Sequence, residues 1–299
     1  MLFSPAMAEK RGGTLFIVGT PIGNLEDLSP RARQTLAAAD AIFCEDTRVT
    51  AKLAARFGLT ASRISVPPPR ERARVPDLLG RLASGQTVAL VSDAGMPNLS
   101  DPGRELVAAA SGAGFQVAVI PGPSAPSAAL AVSGLAGAPH TFLGFLPARS
   151  GQRRRLLEDL RGRAETLVWF EAPHRLAASL EDAAEVLGPR RACVARELTK
   201  IHEETVRGTL PELAALFRGR GAGRGEATVV AEGARSAPAS EAWNLDAEIA
   251  AGLAAGTPVR TIARELAGKA GRPAREIYRR TLELSGRKPS TSGREDGKR

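Results

Sequence analysis

Two carboxylates and an arginine stand together at Glu45-Asp46-Thr47-Arg48, directly after an apolar run that reads as a strand. A carboxylate at a strand end can take the proton of a hydroxyl nucleophile, as general-base catalysis requires. The same four residues equally read as a helix N-cap with a surface ion pair. Five further segments repeat the placement. Thr20-Pro21-Ile22-Gly23-Asn24-Leu25 joins a rigid proline to a permissive glycine, which suits a tight turn that brings backbone amides close to a ligand. Asp93-Ala94-Gly95-Met96-Pro97-Asn98-Leu99-Ser100-Asp101-Pro102-Gly103 is too rich in Gly and Pro for regular structure and can wrap a small ligand. Pro121-Gly122-Pro123-Ser124-Ala125 opens a helix whose first amides can meet an anion, or is simply a capped start. Phe170-Glu171-Ala172-Pro173-His174-Arg175 and Ala195-Arg196-Glu197-Leu198-Thr199-Lys200 follow later in the chain. Lys200, as a lysine, can serve as a base when its charge is disfavoured, whereas an arginine cannot.

Each segment follows the end of a run that reads as a β-strand, which is where open α/β sheets hold their ligands. The first series of strands is Thr14–Gly19, Ala41–Glu45, Arg63–Val66, Thr87–Asp93, Gln116–Gly122 and Thr141–Phe145. Ser29 before Pro30 and Asp101 before Pro102 both read as N-cap and first helical residue. PARSGQRRR breaks the pattern, so an interdomain linker is expected near residues 147–152. A second series follows at Thr166–Ala172, Arg191–Glu197, Glu204–Arg207 and Glu226–Glu232, with Thr209 and Glu212 as a capping box opening a helix to about Arg218. Beyond Pro238 only helical periodicity remains, at Ala247–Ala254, Val259–Leu266 and Ala274–Leu284. The last two helices read as a helix-turn-helix exposing Arg275, Arg279 and Arg280, or as a charged solvated face. The expected organisation is a flexible start (1–12), an α/β domain with a parallel sheet (13–147), a second α/β domain with a mixed sheet (148–236), a helical module (237–285) and a disordered tail (286–299).

Composition bounds the partners. The 299 residues carry 41 Lys+Arg against 32 Asp+Glu, a net charge of +9, which favours a polyanion. From residue 237 onward there are 12 cations and 8 anions, so the excess is denser in the C-terminal part. Aromatics at 4% leave few stacking platforms for single-stranded bases, and arginine must carry recognition. Cys44 and Cys193 stand far apart with only three histidines, which supports neither a disulfide framework nor a metal site. Glu9, Lys10 and Arg11 interrupt any signal-peptide core, and no apolar run reaches membrane-spanning length, so a cytoplasmic protein is expected. The absence of G-x-G-x-x-G and of a Walker loop disfavours nicotinamide enzymes and nucleotide triphosphatases.

In order, GTPIGNL, EDTR, SDAGMP with SDPG, PGPSA, EAPHR, and ARELTK with HEE and RG resemble the tetrapyrrole-methylase superfamily over about residues 13–233. Within it they resemble the branch that methylates the ribose 2′-hydroxyl of a decoding-site cytidine in 16S rRNA. The resemblance implies a two-domain α/β enzyme, generally a homodimer, that binds S-adenosylmethionine in the cleft between its domains. It implies 16S rRNA, within the small ribosomal subunit, as partner. Carried over by position, Pro21 and Asn24 face the cleft, Asp93, Gly95 and Met96 lie on the donor loop, and Ser124 and Ala125 open the helix that contacts the donor. Phe170 and Ala231 border the adenosine. The catalytic candidates are Glu45, Asp46 and Lys200, with the two carboxylates ranked first, and Arg48, Arg175 and Arg196 are expected on substrate phosphates. The basic segments 149–155 and 272–280 are expected to touch RNA as well. Met96 stands where the family often has Thr, and Pro68-Pro69-Arg70-Glu71 replaces a His-Asn-Glu segment, so only Glu71 carries over there. A corrin or porphyrin precursor C-methyltransferase and a nucleic-acid-binding regulator with a ligand-sensing core are the alternatives.

Overall fold

Short apolar runs alternating with helices build two sheets in the computed structural model, which describes residues 12–221, 225–234, 245–270 and 272–285. Residues 1–234 and 235–299 form two units. The expected flexible start up to residue 11, the opening of the helical module at 237–244 and the tail at 286–299 lie outside the described residues.

The first sheet is wholly parallel, in the order β3-β2-β4-β1-β5. Its strands are β1 (Thr14–Val18), β2 (Ala41–Cys44), β3 (Ser62–Ser65), β4 (Thr87–Val91) and β5 (Gln116–Ile120). Helices α1 (Pro30–Ala38) and α2 (Thr47–Phe57) bury Leu36 and Leu53 against Val18, Ile42 and Ala89 on one face. Helices α3 (Glu71–Ala83) and α4 (Arg104–Gly112) bury Leu78 and Leu106 against Leu15, Phe43 and Val88 on the other. Cover on both faces is why these strands read as near-continuous apolar runs. Helix α1 starts as its sequence indicates, with Ser29 Oγ accepting from the Ala32 amide at 3.1 Å. Asp101 does not cap α4. Gly103, at φ 135°, turns the chain between them, and the first amides of α4 donate instead to Glu71 Oε1, at 2.6 Å from Glu105 and 3.3 Å from Leu106.

The second sheet is mixed, in the order β6-β7-β10-β8-β9, and only β6 and β7 pair in parallel. It comprises β6 (His140–Phe145), β7 (Thr166–Glu171), β8 (Arg191–Arg196), β9 (Glu204–Thr209) and β10 (Ala227–Ala231). Helix α5 (Ala125–Ser133) covers one face through Ala129, against Val168, Cys193 and Val230. Helices α6 (Ser150–Asp159), α7 (Leu176–Leu187) and α8 (Leu210–Arg220) enclose Trp169 on the other. The strand expected to close the first domain is thus the edge of the second sheet. The reason is α5: its buried face belongs to the second sheet, so the chain has already crossed over at Pro121–Ser124. The expected linker is largely the start of α6, where Arg153 is buried and its Nη2 lies 2.5 Å from Asp182. The capping box at Thr209 is present, its amide donating to Glu212 Oε2 at 2.7 Å.

The second unit holds α9 (Leu245–Ala254), α10 (Val259–Ala270) and α11 (Ala274–Leu284) around Ile249, Ile262, Leu266 and Ile277. Arg280, expected to be exposed for RNA, ties α11 to α9 by two hydrogen bonds to Asp246, at 3.0 and 2.6 Å. All three of Arg275, Arg279 and Arg280 are exposed, Arg280 while it pairs with Asp246. Among the described residues no helix is long and apolar enough to cross a membrane.

Candidate active site

Strand ends of the first sheet meet the α5 face of the second around a cleft of about 310 Å³. Glu45 reaches it from the end of β2, and the loop after β4 supplies Asp93, Gly95, Met96 and Asp101. The first turn of α5 adds Ser124 and Ala125. The second sheet contributes Phe170, Ala195 and Thr228, every one from the side that faces α5, and the loop after β8 adds Glu197 and Lys200. Side chains alternate along a strand. Hence Glu171, Arg196 and Ala231, each an odd number of residues from one of these, point to the α7 and α8 side.

Three contacts hold the loops in place. Thr20 and Gly95 exchange backbone hydrogen bonds at 2.9 and 3.1 Å, which pins the loop after β4 to the loop after β1. The Asn24 amide donates to Thr199 Oγ1 at 3.0 Å, joining that loop to the one after β8. Gly23 makes this approach possible, because a Cβ there would stand 2.6 Å from Lys200 Cγ and 2.9 Å from the Leu198 carbonyl. Glu197 and Thr199 both have positive φ, 47° and 65°, in the loop that receives it. Phe170 forms an aromatic wall with Phe142 and Phe145, at centroid separations of 5.0 and 5.3 Å.

The cleft is acidic. Burial, with the nearby charges of Asp101 and Asp93, pushes the Glu45 carboxyl up to about 7. Burial likewise raises Asp101 to about 6, and Asp93 rises for the same reason. Asp46 goes the other way: hydrogen bonds from the Arg48 side chain and amide lower it to about 2. Glu45 is therefore near the neutral range in which a base both accepts and releases protons, and Asp46 is not. Lys200 Nζ lies 2.8 Å from Glu197 Oε1, which suits it to donating hydrogen bonds.

Of the expected site residues, Glu45, Asp93, Gly95, Met96, Ser124, Ala125, Phe170 and Lys200 line the cleft together. The others do not. Asp46 caps α2 by accepting from the Arg48 amide at 2.8 Å, and Arg48 itself folds back onto that carboxylate at 2.6 Å. Asn24 Oδ1 accepts from the Glu26 amide at 3.1 Å, and Pro21 lines a smaller cavity beside α2. Arg175 donates to the Leu146 carbonyl at 2.6 Å and pairs with buried Glu171 at 3.0 Å. Arg196 pairs with Glu204 and lies over the Phe217 ring, and Ala231 packs in the core beneath α7 and α8. Glu226 lines the cleft without having been expected there, and Asp101 and Glu197 line it from expected segments without having been singled out as site residues. Asp101 reads as a cap in the sequence. Glu226 stands two residues before Thr228, hence on the same side of the strand.

A family model, that of the tetrapyrrole (corrin/porphyrin) methylases, matches residues 14–214, and the chain belongs to this family. It is 45% identical over 284 residues to the ribosomal RNA small subunit methyltransferase I of Mesorhizobium japonicum, covering 95% of each chain. It is 44% identical over 275 residues to the protein of that name in Synechocystis sp., covering 91% of this chain and 98% of the relative. These relatives place the chain in the ribosomal RNA small subunit methyltransferase I branch of the family. Among solved structures, uroporphyrin-III C-methyltransferase from Thermus thermophilus, complexed with S-adenosyl homocysteine, matches with a TM-score of 0.51 at 22% identity. The match covers 74% of this chain and 97% of that one, and establishes a shared fold.

Proposed function

We propose that the protein transfers a methyl group from S-adenosylmethionine to the ribose 2′-hydroxyl of the decoding-site cytidine in 16S rRNA. It acts on the small ribosomal subunit in the cytoplasm, as a homodimer. The names of the relatives support the RNA assignment, and one observation carries the chemistry: Glu45, with its carboxyl raised to about 7, faces the same cleft as the Gly-rich loops. The cleft fits the donor. Gly95, Ser124 and Ala125 line it with small side chains, Phe170 offers an aromatic face, and the surrounding carboxylates suit a cation. S-adenosylmethionine, when bound, supplies an electrophilic methyl group on a cationic sulfur. Glu45 accepts the hydroxyl proton of the ribose as the oxygen becomes a nucleophile, a role worth roughly 10²–10⁴ in rate. Burial, helped by the charges of Asp101 and Asp93, keeps Glu45 basic enough for that task. The rigid crossing of the Thr20–Leu25 loop with the loop after β8 holds the reacting groups in register, where alignment contributes most of the acceleration.

The same cleft argues against a tetrapyrrole acceptor. Glu45, Asp93, Asp101, Glu197 and Glu226 line it with Lys200 as the one cation among the described lining residues, a poor match to a substrate carrying several carboxylates. RNA brings only a sugar hydroxyl into it, and its phosphates stay outside for arginine. Arg149 before α6, Arg155 on it, and Arg275 and Arg279 on α11, are exposed and serve that role. Incubating the protein with labelled donor and small subunits, naked rRNA or a tetrapyrrole precursor tests the reading. Label in the RNA of the subunit is expected; label in the pigment, or none, overturns it.

A further inference from the structure

Beside α2 lies a second cavity, of about 140 Å³, formed where the Thr20–Leu25 loop passes over the helix. Pro21, Leu25 and Val49 give it aliphatic walls, and Thr50, Lys52 and Asp93 give it polar edges. Asp93 lines this cavity and the main cleft at once. Leu25 and Val49 are 39% and 37% exposed, on a loop and a helix that leave them open at its walls. Eight large apolar side chains are exposed among the described residues, and four of them line one cavity or the other. Contiguous apolar surface left open around a hollow is a mark of a ligand-binding groove.

We propose that this cavity holds the base of the nucleotide whose ribose is methylated, with the Asp93 carboxylate reading the polar edge of that base. The inference rests on the RNA reading above and deepens it. A base and its 2′-hydroxyl belong to one sugar, so a base site must adjoin the cleft, and the shared Asp93 provides that adjacency. The hollow admits one small ring system and excludes a macrocycle. Aliphatic walls cover the faces of a ring, as happens when enzymes turn a nucleotide out of its stack at a cost of a few kcal/mol. Asp93 Oδ1 accepts from the Asp46 amide at 3.0 Å, and Oδ2 remains as an acceptor. A carboxylate accepts from the exocyclic amine of cytosine. The Lys52 ammonium can donate to a ring carbonyl. The class selected is an amino-pyrimidine.

Val49→Trp fills the hollow from the exposed side of α2, and Leu25→Trp fills it from the opposite wall. Unchanged donor affinity by calorimetry and an unchanged melting temperature show which variant is folded. Methyl transfer is then measured on small subunits whose acceptor nucleotide is intact or abasic. Each change alone, in protein or in RNA, is expected to lower kcat/KM by about 100-fold, the loss that misplacing a substrate brings. Combined, the two are expected to cost no more than either, because both remove the same interaction. Transfer by both folded variants within twofold of the unaltered protein, or losses that multiply, overturns the base site and leaves the RNA reading standing. An unaltered protein that methylates no RNA overturns both.

Discussion

Glu45 and Asp46 are neighbours with opposite environments, and the difference assigns their work. Glu45→Gln is expected to lower the single-turnover rate by roughly 10²–10⁴ while calorimetry shows nearly unchanged donor binding. Asp46→Ala removes a helix cap worth about 1 kcal/mol and leaves the rate within a few-fold, which a thermal melt and the same assay separate. Because the base must be ionised, kcat/KM is expected to rise with pH from 5 to 8 through an apparent pKa near that of Glu45, about 7, and this limb vanishes in Glu45→Gln. Stability runs the other way. A carboxyl raised by burial favours folding while protonated, so its contribution is complete below the unfolded value of 4.5 and is lost as pH climbs through about 7. Glu45→Gln therefore raises stability in thermal melts at pH 8 and not at pH 4, by about 1 kcal/mol after solvent screening is allowed for. The EDTR segment marked the site in the sequence, but which carboxylate is the base was not legible there. Arg48 lowers Asp46 from within the segment itself, whereas Glu45 is raised by burial that only the fold creates and by the charges of Asp101 and Asp93, some fifty residues away in the chain.

At the scale of elements, strands and helix starts were read nearly to the residue, because each carried a local signal: an apolar run, a Ser-Pro pair, a capping box. The readings that failed needed a partner from elsewhere. Asp101-Pro102 has the local form of a cap, yet Glu71 from α3 reaches the first amides of α4, and Asp101 is left to the cleft. Arg153 and Arg154, within the basic run at 149–155, have the local form of RNA contacts, yet Asp182 on α7 accepts from Ser150, Arg153 and Arg154 at 3.0, 2.7 and 2.6 Å, which leaves Arg149 and Arg155 as the exposed cations of the run. Arg153 and Asp182 are both buried, so Asp182→Ala leaves a charge without its partner and is expected to cost about 3–5 kcal/mol in urea unfolding. Arg155→Ala, at an exposed position on the same helix, is expected to leave stability within about 0.5 kcal/mol. Strand alternation puts Arg196 and Ala231 on the far side of the sheet from Ala195 and Thr228, but which side faces the cleft is set by the packing of α5 and is not legible in either strand.

For the whole molecule, the two-sheet architecture and the helical unit were legible, and the crossing point was not, because the packing of α5 on the second sheet leaves no mark in its own sequence. The C-terminal unit carries the denser positive charge and keeps Arg275 and Arg279 exposed. Deleting residues 239–299 is expected to weaken RNA binding and to flatten its salt dependence by about 0.7–0.9 in log–log slope for each phosphate no longer neutralised, measured by titration between low and moderate salt. An unchanged slope assigns that unit another task. The crossover at Pro121–Ser124 also fixes how this chain could be recombined with a relative. A chimera joined near residue 147 draws β6 from one parent and its neighbour β7 from the other, so the seam runs through a hydrogen-bonded strand pair. Joined at Gly122, the chimera moves α5 and the whole second sheet as a single inherited block, and the cleft becomes the boundary between the two ancestries.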